Sequence, residues 1–531
     1  MQAESPSVYE RLQTLLPAPK PIEPTGWLDR AQAIQGPWVP GLRSVSQVIF
    51  INHPLSGALL LLAFWLSSPW MAGWALVGMT SANAVSHWMR LSPGLRGQGI
   101  HGFNGVLVGC ATAALTNTPM PSAANAARLT LLVAIGGGLT TWMIELWRLR
   151  FHRRGDPPVL TLPFCLITWV LLAVVPPSFS TPLEAIQPAA ATAPLEALLL
   201  GIPHSFGQVF LCSSLTSGCL VAIAVVIASP IAAGLGVIGA VIGMTCGLLQ
   251  GADPSAIAQG LWGYNGVLTA IALGGIFHTP SSRSVLLAVL GASLATLLQA
   301  LQIHMIGILP PLTLSFVITT WCLQRLAKRR LPALIPVALH AVISPEEHRQ
   351  RYGVTRALLE RFRRHLQERL AGIPRISTAS ALEEPRNRQT QDLFAELDRN
   401  QDGRLSVAEL RHALMSNLIQ KQAESNDPSL DDQLNTVLAA MDLNLDGQIN
   451  LLEFGHFIQH LQRLRDGEER LRLYLIPMDT NGDDQLEPNE LDRLLRSVGQ
   501  TNLTSAETTL VYANHPEGLS WRQWIDQLLL A

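Results

Sequence analysis

The stretch Gly102-Phe103-Asn104-Gly105-Val106-Leu107-Val108 returns 161 residues later as Gly263-Tyr264-Asn265-Gly266-Val267-Leu268-Thr269. The same offset relates Gln47-Val48 to Gln208-Val209, Ser56-Gly57 to Ser217-Gly218, and Pro69 to Pro230. A shift held without a gap over more than fifty positions is an internal repeat, so this region must be read as two copies of one unit. A second echo closes each copy. Leu160-Thr161-Leu162-Pro163-Phe164 returns as Leu312-Thr313-Leu314-Ser315-Phe316, and Trp169 as Trp321, now 152 residues apart. The nine extra residues of the first copy are assigned to its basic loop.

The repeat lies where charge is scarce. Only 14% of the 531 residues are charged, and most of those lie beyond Lys328; residues from about 45 to 325 carry very few. Composition therefore divides the chain into a membrane domain and a soluble one. Apolar stretches of spanning or nearly spanning length occupy about 44–66, 70–90, 100–118, 127–147 and 159–176. The second copy supplies about 205–229, 231–250, 263–278, 284–308 and 311–326. Five spans per copy is an odd number, which makes the second copy enter from the opposite side as an inverted repeat.

The basic residues agree with that arrangement. Arg90, Arg96, Arg148, Arg150, Arg153, Arg154 and Arg283, then Arg325, Lys328, Arg329 and Arg330, fall on one side. Loops around 118–126, 177–204, 250–260 and 306–311 contain almost no Lys or Arg, and Arg128 begins its helix. The asymmetry puts both termini in the cytoplasm. Residues 1–40 are polar and Pro-rich, without the apolar region of a cleavable signal peptide. Cys110, Cys165, Cys212, Cys219, Cys246 and Cys322 all lie in the apolar part with no CxxC, and read as small core hydrophobes. Net charge is −2, which says little about partners, and no nucleic acid is expected.

The first stretch of each copy carries a break. Gln47–Ile51 runs into Asn52-His53-Pro54, and Pro54 cannot donate to a helix ladder. The spacing predicts a short half-helix, a break and a continuing helix, tolerated in a membrane where the break is buried or lines a wet cavity. The second copy, Ser213-Ser214-Leu215-Thr216, lacks the proline, so a softer break is expected there. Gly136-Gly137-Gly138 and the run Gly234, Gly236, Gly239, Gly243 and Gly247 fit close helix packing or a subunit contact.

Ionisable residues are few in the spans. His53, His87, His101, His204, His304 and Glu145 lie near their ends, and nothing resembles a carboxylate proton relay or a ring of buried charge. What recurs is uncharged: Gln47 with Gln208, Thr161 with Thr313, Phe103 with Tyr264, Leu107 with Leu268. Amide and hydroxyl oxygens accept hydrogen bonds, and half-helix ends add unpaired carbonyls of the same sign. Such groups suit a small planar solute rich in N–H donors. The same residues would equally well join helices to one another, and their duplication favours the pore.

The Gln-Val segment leading into Asn52-His53-Pro54-Leu55-Ser56-Gly57, the duplicated Asn-Gly-Val-Leu segment and Leu160–Phe164 together resemble the urea transporter family over about residues 40–330. The resemblance implies a homotrimer with one pore per protomer, formed between inverted halves and passing urea down its gradient. It implies that Gln47 and Gln208 mark two oxygen ladders and that Thr161 and Thr313 line the constriction. It also implies one slot from Phe50, Phe103 and Leu107 and another from Leu211, Tyr264 and Leu268. Departures are Tyr264, where phenylalanine is usual, Leu211 opposite Phe50, the missing proline of the second break, and Ser315 in place of Pro163. The Tyr264 hydroxyl must find a partner or narrow its slot.

Beyond Arg330, residues 346–370 place Leu358, Leu359, Phe362, Leu366 and Leu370 at helical spacing among many arginines. This basic amphipathic helix could lie on an anionic leaflet, serve as a target for a Ca²⁺-opened groove, or be a plain connector.

Asp398, Asn400, Asp402, the Arg404 carbonyl, Ser406 and bidentate Glu409 supply hard oxygens at EF-hand spacing, with Gly403 at the turn. Asp442, Asn444, Asp446, Gln448, Asn450 and Glu453 repeat the set around Gly447. Asp479, Asn481, Asp483, Gln485, Glu487 and Glu490 form a third loop with Asp484 at the glycine position, which requires it to adopt the left-handed conformation. Asn514–Gln523 reads as a fourth hand without ligands that keeps Leu519 to pair with Leu486. The resemblance here is to calmodulin-type proteins.

The chain is thus expected to be all-α. Two inverted repeats of five transmembrane helices plus re-entrant half-helices precede a soluble EF-hand domain. The expected divisions are a cytoplasmic segment 1–40, repeats 41–180 and 181–330, a basic linker 331–385, and an EF-hand domain 386–531 with three Ca²⁺-binding loops. The function implied is passive urea transport in the cytoplasmic membrane, with Ca²⁺ as cofactor and a contact between the EF-hands and the 346–370 helix as a possible route of control. The alternatives are a pore for another small neutral amide or ammonia, and a membrane-anchored Ca²⁺ sensor. No nucleophile–base set or phosphate loop is present, so no enzyme is expected.

Overall fold

The computed structural model describes residues 8–13, 16, 34–116, 122–151, 158–175, 193–306, 309–331, 334, 344–371, 388–406, 408–410, 412, 435, 437–443, 446–475, 478–479, 483–513 and 515–530. Arg153, Arg154, Asn444, Asn481 and Asn514 lie outside them. The chain forms two compact units, Glu23–Gln350 on one hand and Met1–Ile22 with Arg351–Ala531 on the other.

In the first unit each repeat begins with a helix that stops and restarts. Val39–Gln47 is followed by Pro54–Ser67, and Pro194–Gln208 by Leu215–Ala228. The stops are alike. Phe50 and Leu211 take φ of 62° and 59°, and their amides donate to the carbonyls of Gln47 and Gln208 at 3.0 Å in both. The next amides, Ile51 and Cys212, reach back to Ser46 and Gly207 at 3.2 and 3.0 Å. This left-handed cap satisfies carbonyls that a helix end leaves orphaned.

The restarts are capped as well: His53 accepts from the Ser56 amide and Ser214 from the Ser217 amide. The softer second break expected from the missing proline is therefore not found. The turn is set by the left-handed residue and the side-chain cap, and Ser214 supplies the cap without a proline.

Among the described residues, three helices are long and apolar enough to cross a membrane, namely Ala123–Arg150, Pro230–Leu249 and Ser282–Met305. Pro54–Ser67, Phe103–Leu115, Leu162–Val174, Leu215–Ala228 and Tyr264–Ile276 are apolar but shorter. The apolar stretches of the sequence thus contain the turns at which helices break, and stretch length overstates helix length.

Glycine explains why the repeated motif reads Asn-Gly. A Cβ on Gly105 would sit 2.3 Å from the Gly78 carbonyl oxygen, and one on Gly266 would sit 2.3 Å from that of Gly239. The motif helices Phe103–Leu115 and Tyr264–Ile271 can therefore cross Pro69–Trp88 and Pro230–Leu249 backbone against backbone, which any side chain would prevent.

The halves are joined by reciprocal bonds. Ser56 Oγ donates to the Ala224 carbonyl and Ser217 Oγ to the Ala63 carbonyl, both at 2.8 Å. Trp169 Nε1 donates to Pro310 at 3.0 Å and Trp321 Nε1 to Pro158 at 2.8 Å. Each bond and its mate exchange donor and acceptor halves. All six cysteines are free thiols; Cys110, Cys165 and Cys212 are buried, but Cys219 and Cys322 are exposed. Those two correct the expectation of core packing, since an apolar face meant for lipid holds small hydrophobes as readily as a core does.

In the second unit the strands among the described residues form two short ribbons between paired loops. Arg404 and Leu405 pair with Asn450 and Ile449. Gln485 and Leu486 pair with Ser520 and Leu519, so the ligand-poor fourth hand partners the third as the sequence suggests. Beneath these ribbons Leu405, Ile449, Leu486 and Leu519 are buried.

From Arg351 on, the helix Pro345–Ala371 buries Leu358, Leu359, Phe362 and Leu366, while Leu370 is exposed and falls outside the stripe expected for it. The Phe362 ring meets Trp524 edge-on at 5.0 Å. Arg363 donates to the carbonyls of Thr501 and Asn502. The N-terminal helix Val8–Leu12 also belongs to this unit, with Tyr9 and Leu12 buried. The Tyr9 amide donates to Asp526 at 2.8 Å and its hydroxyl to Glu468 at 3.0 Å. Burial, and then the Glu468 carboxylate beside it, push the Tyr9 phenol up.

Candidate functional site

The two glutamines occupy equivalent places. Gln47 ends its helix and donates from Nε2 to the Gln98 carbonyl at 3.2 Å; Gln208 ends its own and donates to the Gln259 carbonyl at 3.1 Å. A carbonyl can only accept, so each bond fixes the amide with its NH₂ turned away and its oxygen as the acceptor that is left. Gln98 and Gln259 are themselves related by the 161-residue offset, a repeated pair that the sequence reading passed over.

Thr161 and Thr313 stand at the N-cap positions of Leu162–Val174 and Leu314–Arg330, neither with a side-chain capping bond. The residues before them, Leu160 and Leu312, hold positive φ of 55° and 47°. These turns are braced by the repeated asparagines. Asn104 donates to the Leu160 carbonyl at 3.2 Å and accepts from the Phe164 amide at 3.1 Å. Asn265 donates to the Leu312 carbonyl at 3.1 Å. So held, the two threonine hydroxyls meet at 2.6 Å, and Cys165 Sγ stands 3.4 Å from Thr313 Oγ1. Neither contact can be read from spacing, because it joins two separate helix starts.

Tyr264 does find a partner. Its hydroxyl donates to the Leu312 carbonyl at 2.7 Å, sharing that oxygen with Asn265, and the side chain is 8% exposed. A carbonyl oxygen has two lone pairs and satisfies both donors. Phe50, Phe103 and Leu211 are partly buried against the same core, whereas Leu107 and Leu268 are covered completely. Phe50 meets Phe277 and Phe316 of the second repeat edge-on, each at 5.9 Å. His53 serves as a cap, and Glu145 is paired with Arg148, its Nε at 2.9 Å, so neither is an open charge.

The loops of the second unit hold their carboxylates on backbone amides. Asp398 accepts from Gly403 and Asp442 from Gly447, both at 2.8 Å, and Asp479 accepts from Asp484 at 3.2 Å. Asn400 and Asp402 accept within their turn at 2.9 and 2.8 Å, and Asp446 and Asp483 accept from Gln448 and Gln485 at 2.9 and 2.8 Å.

Gly403 and Gly447 both have φ of 77°, and Asp484 takes 61°, the left-handed conformation expected of it. Glu409 and Glu453 reach back across their loops to the amides of Arg399 and Leu443, both at 3.1 Å. Glu490 sits opposite Glu487 in a capping box. The Ser406 amide holds the Glu409 carboxyl below its ordinary range, so it is ionised at neutral pH. Among the described residues no three acidic side chains converge on one point, but acidic, amide and hydroxyl oxygens recur around each tight turn, and oxygen donors of this kind are what Ca²⁺ takes.

Comparison with known proteins decides the family. The urea transporter family model matches residues 39–328. The chain belongs to the urea transporter family. An EF-hand domain pair matches residues 388–459. Urea transporter 1 of Ovis aries is 28% identical over 343 residues, covering 61% of this chain and 85% of the relative. That of Mus musculus is 28% identical over 331 residues, covering 59% and 82%. A mitochondrial adenyl nucleotide antiporter of Mus musculus is 28% identical over 142 residues, covering 26% of this chain and 27% of its own.

The protein is therefore an all-α, membrane-associated member of the urea transporter family with a helical EF-hand domain, and Ca²⁺ is its cofactor. Neither family is catalytic, so the chain is not an enzyme.

Proposed function

We propose that this urea transporter family member carries urea passively across the cytoplasmic membrane between its two halves, and that Ca²⁺ acts on that pathway through the EF-hand unit. The observation that carries the reading is the duplicated set Gln47, Gln208, Thr161 and Thr313. These uncharged oxygen-bearing side chains recur about one pseudo-two-fold. Urea is planar and rich in N–H donors. Amide and hydroxyl oxygens accept from its edges, while Phe50, Phe103 and Leu107 flank one slot for its faces and Leu211, Tyr264 and Leu268 the other. Among the described residues no proton relay accompanies them, which suits movement down a gradient. Because Thr161 and Thr313 bond to each other, passage requires the hydroxyls to part and turn to the solute.

In this reading the two repeats are inverted, with five spans each, and both termini face the cytoplasm, on the side rich in arginine. Three protomers assemble, each with its own pore. Ca²⁺ binds at Asp398–Glu409, Asp442–Glu453 and Asp479–Glu490, with Glu409, Glu453 and Glu490 closing the loops as bidentate ligands. It acts through the connector helix, whose Leu359 and Phe362 are buried in the same unit.

Proteoliposomes test the reading. Thr161→Val and Gln208→Leu each remove an acceptor from a dehydrated site, so urea flux should fall by about tenfold. Acetamide, with fewer N–H donors, should lose less. Equal losses would assign the pore to another neutral amide, and unchanged urea flux in both variants would remove these residues from the path. Glu409→Gln with Glu453→Gln should abolish any Ca²⁺ effect; a response that survives them contradicts control through these loops.

A further inference from the structure

The start of the connector helix Pro345–Ala371 belongs to the first unit, where Glu346 meets the opening of Pro230–Leu249. Glu346 accepts from Ser229 Oγ at 2.7 Å through one carboxylate oxygen and from the Ile231 amide at 2.8 Å through the other. Ser229 in turn accepts from the Ala232 amide at 2.9 Å. The orphan amides that open Pro230–Leu249 are thus satisfied in part by a carboxylate 115 positions further along the chain, where a negative charge also suits the helix dipole. Beside it Pro345 lies on Gly275; a Cβ there would come within 2.8 Å of the proline ring.

Gly275 belongs to a π-helical turn, Ala272–Ile276, that continues the motif helix Tyr264–Ile271. Ser284 Oγ holds the Gly274 carbonyl at 2.9 Å within that turn. Turns of this kind interrupt the ordinary ladder and recur at functional sites.

The first repeat is an internal control. The positions 161 residues earlier fall in the regular α-helix Phe103–Leu115, with no π turn. Ser68, the counterpart of Ser229, opens Pro69–Trp88 with no side-chain cap. One copy builds its fold without either device, so the fold does not require them. Their presence in the second copy alone coincides with Glu346 and Pro345.

We propose that the Ser229–Ile231 helix start and the Gly275 turn form a docking surface for the chain's own Pro345-Glu346, through which the connector helix sets the position of Tyr264 and Leu268. The proposal rests on the reading that the EF-hand unit acts on the pore. From Arg351 on, the same helix buries Leu359, Phe362 and Leu366 in that unit. A Ca²⁺-driven rearrangement there pulls on one continuous helix. The pull reaches the membrane unit at the Glu346 carboxylate and the π turn, a backbone segment able to shift by one hydrogen bond.

The test is hydrogen exchange of the full chain in lipid nanodiscs, with Ca²⁺ and with chelator, read at amides 231–233 and 272–277. In the wild type Ca²⁺ should change their exchange by roughly threefold or more. Glu346→Ala should speed exchange at Ile231 in both conditions and remove the Ca²⁺ response there, while Ca²⁺ binding by calorimetry stays intact. Gly275→Ala should expel Pro345 and act alike; if that variant does not fold, Glu346→Ala still decides. Exchange at Ile231 that ignores Ca²⁺ in the wild type, or a Glu346→Ala variant with the full wild-type response, overturns the proposal. A wild type that passes no urea yet keeps Ca²⁺-dependent exchange at Ile231 removes the transport reading and leaves the docking surface standing.

Discussion

Tyr264 shows how one oxygen can be absorbed by a site. Its hydroxyl and the Asn265 amide share the Leu312 carbonyl, next to Thr313. Tyr264→Phe keeps the ring and leaves Asn265 in place, so thermal unfolding should shift by no more than about 1 kcal/mol and urea flux should persist. A flux lost with the hydroxyl alone would make it part of the path. Asn104→Ala removes two buried bonds at once, to Leu160 and from Phe164, and should cost about 2–3 kcal/mol. A smaller loss, measured by denaturation in detergent, would deny the asparagines their bracing role. Asp484 holds φ of 61° at a position where glycine rests without strain. Asp484→Gly should relieve about 1 kcal/mol and raise the thermal stability of that unit accordingly; no gain would show that the turn carries no such strain. Asn104, Asn265 and Asp484 were legible as structural residues because each sits inside a motif. The Thr161–Thr313 contact was not, because it joins helix starts far apart in the chain.

At the scale of elements, the duplicated break is the part that sequence reading half saw. Pro54 announces the first restart, but nothing so loud marks the second, where Ser214 does the capping. Residue types that cap are common, and only the positive φ of Leu211 reveals the turn. Ser214→Ala should therefore cost about 1 kcal/mol of stability, as N-cap losses do, and the loss should appear as lowered thermal stability of the purified protein. An unchanged melting point would mean that the break is held by its packing alone. Gly239 was legible as a close-packing residue, whereas its pairing with Gly266, and the whole Gly78–Gly105 crossing, needed the fold. Helix lengths were overstated for a related reason: hydropathy runs straight through a capped break.

Over the whole molecule, a repeat written in glutamine, threonine and asparagine becomes two halves that exchange reciprocal bonds. The family and the EF-hand loops were legible because their motifs are local. The place of Tyr9 in the unit of Arg351–Ala531 was not, since a short amphipathic segment does not name its partner in sequence. Ca²⁺ binds the folded loops and not the unfolded chain, so chelation should lower the stability of that unit. The loss should be about 2.7 kcal/mol for each site held at a hundred times its dissociation constant. The central claim is transport, and stopped-flow light scattering of proteoliposomes under an inward urea gradient tests it most directly. The protein should speed urea entry well beyond bare lipid, without any proton or ion gradient and with a rate that differs between Ca²⁺ and chelator. Entry no faster than bare lipid at any Ca²⁺ level would contradict it.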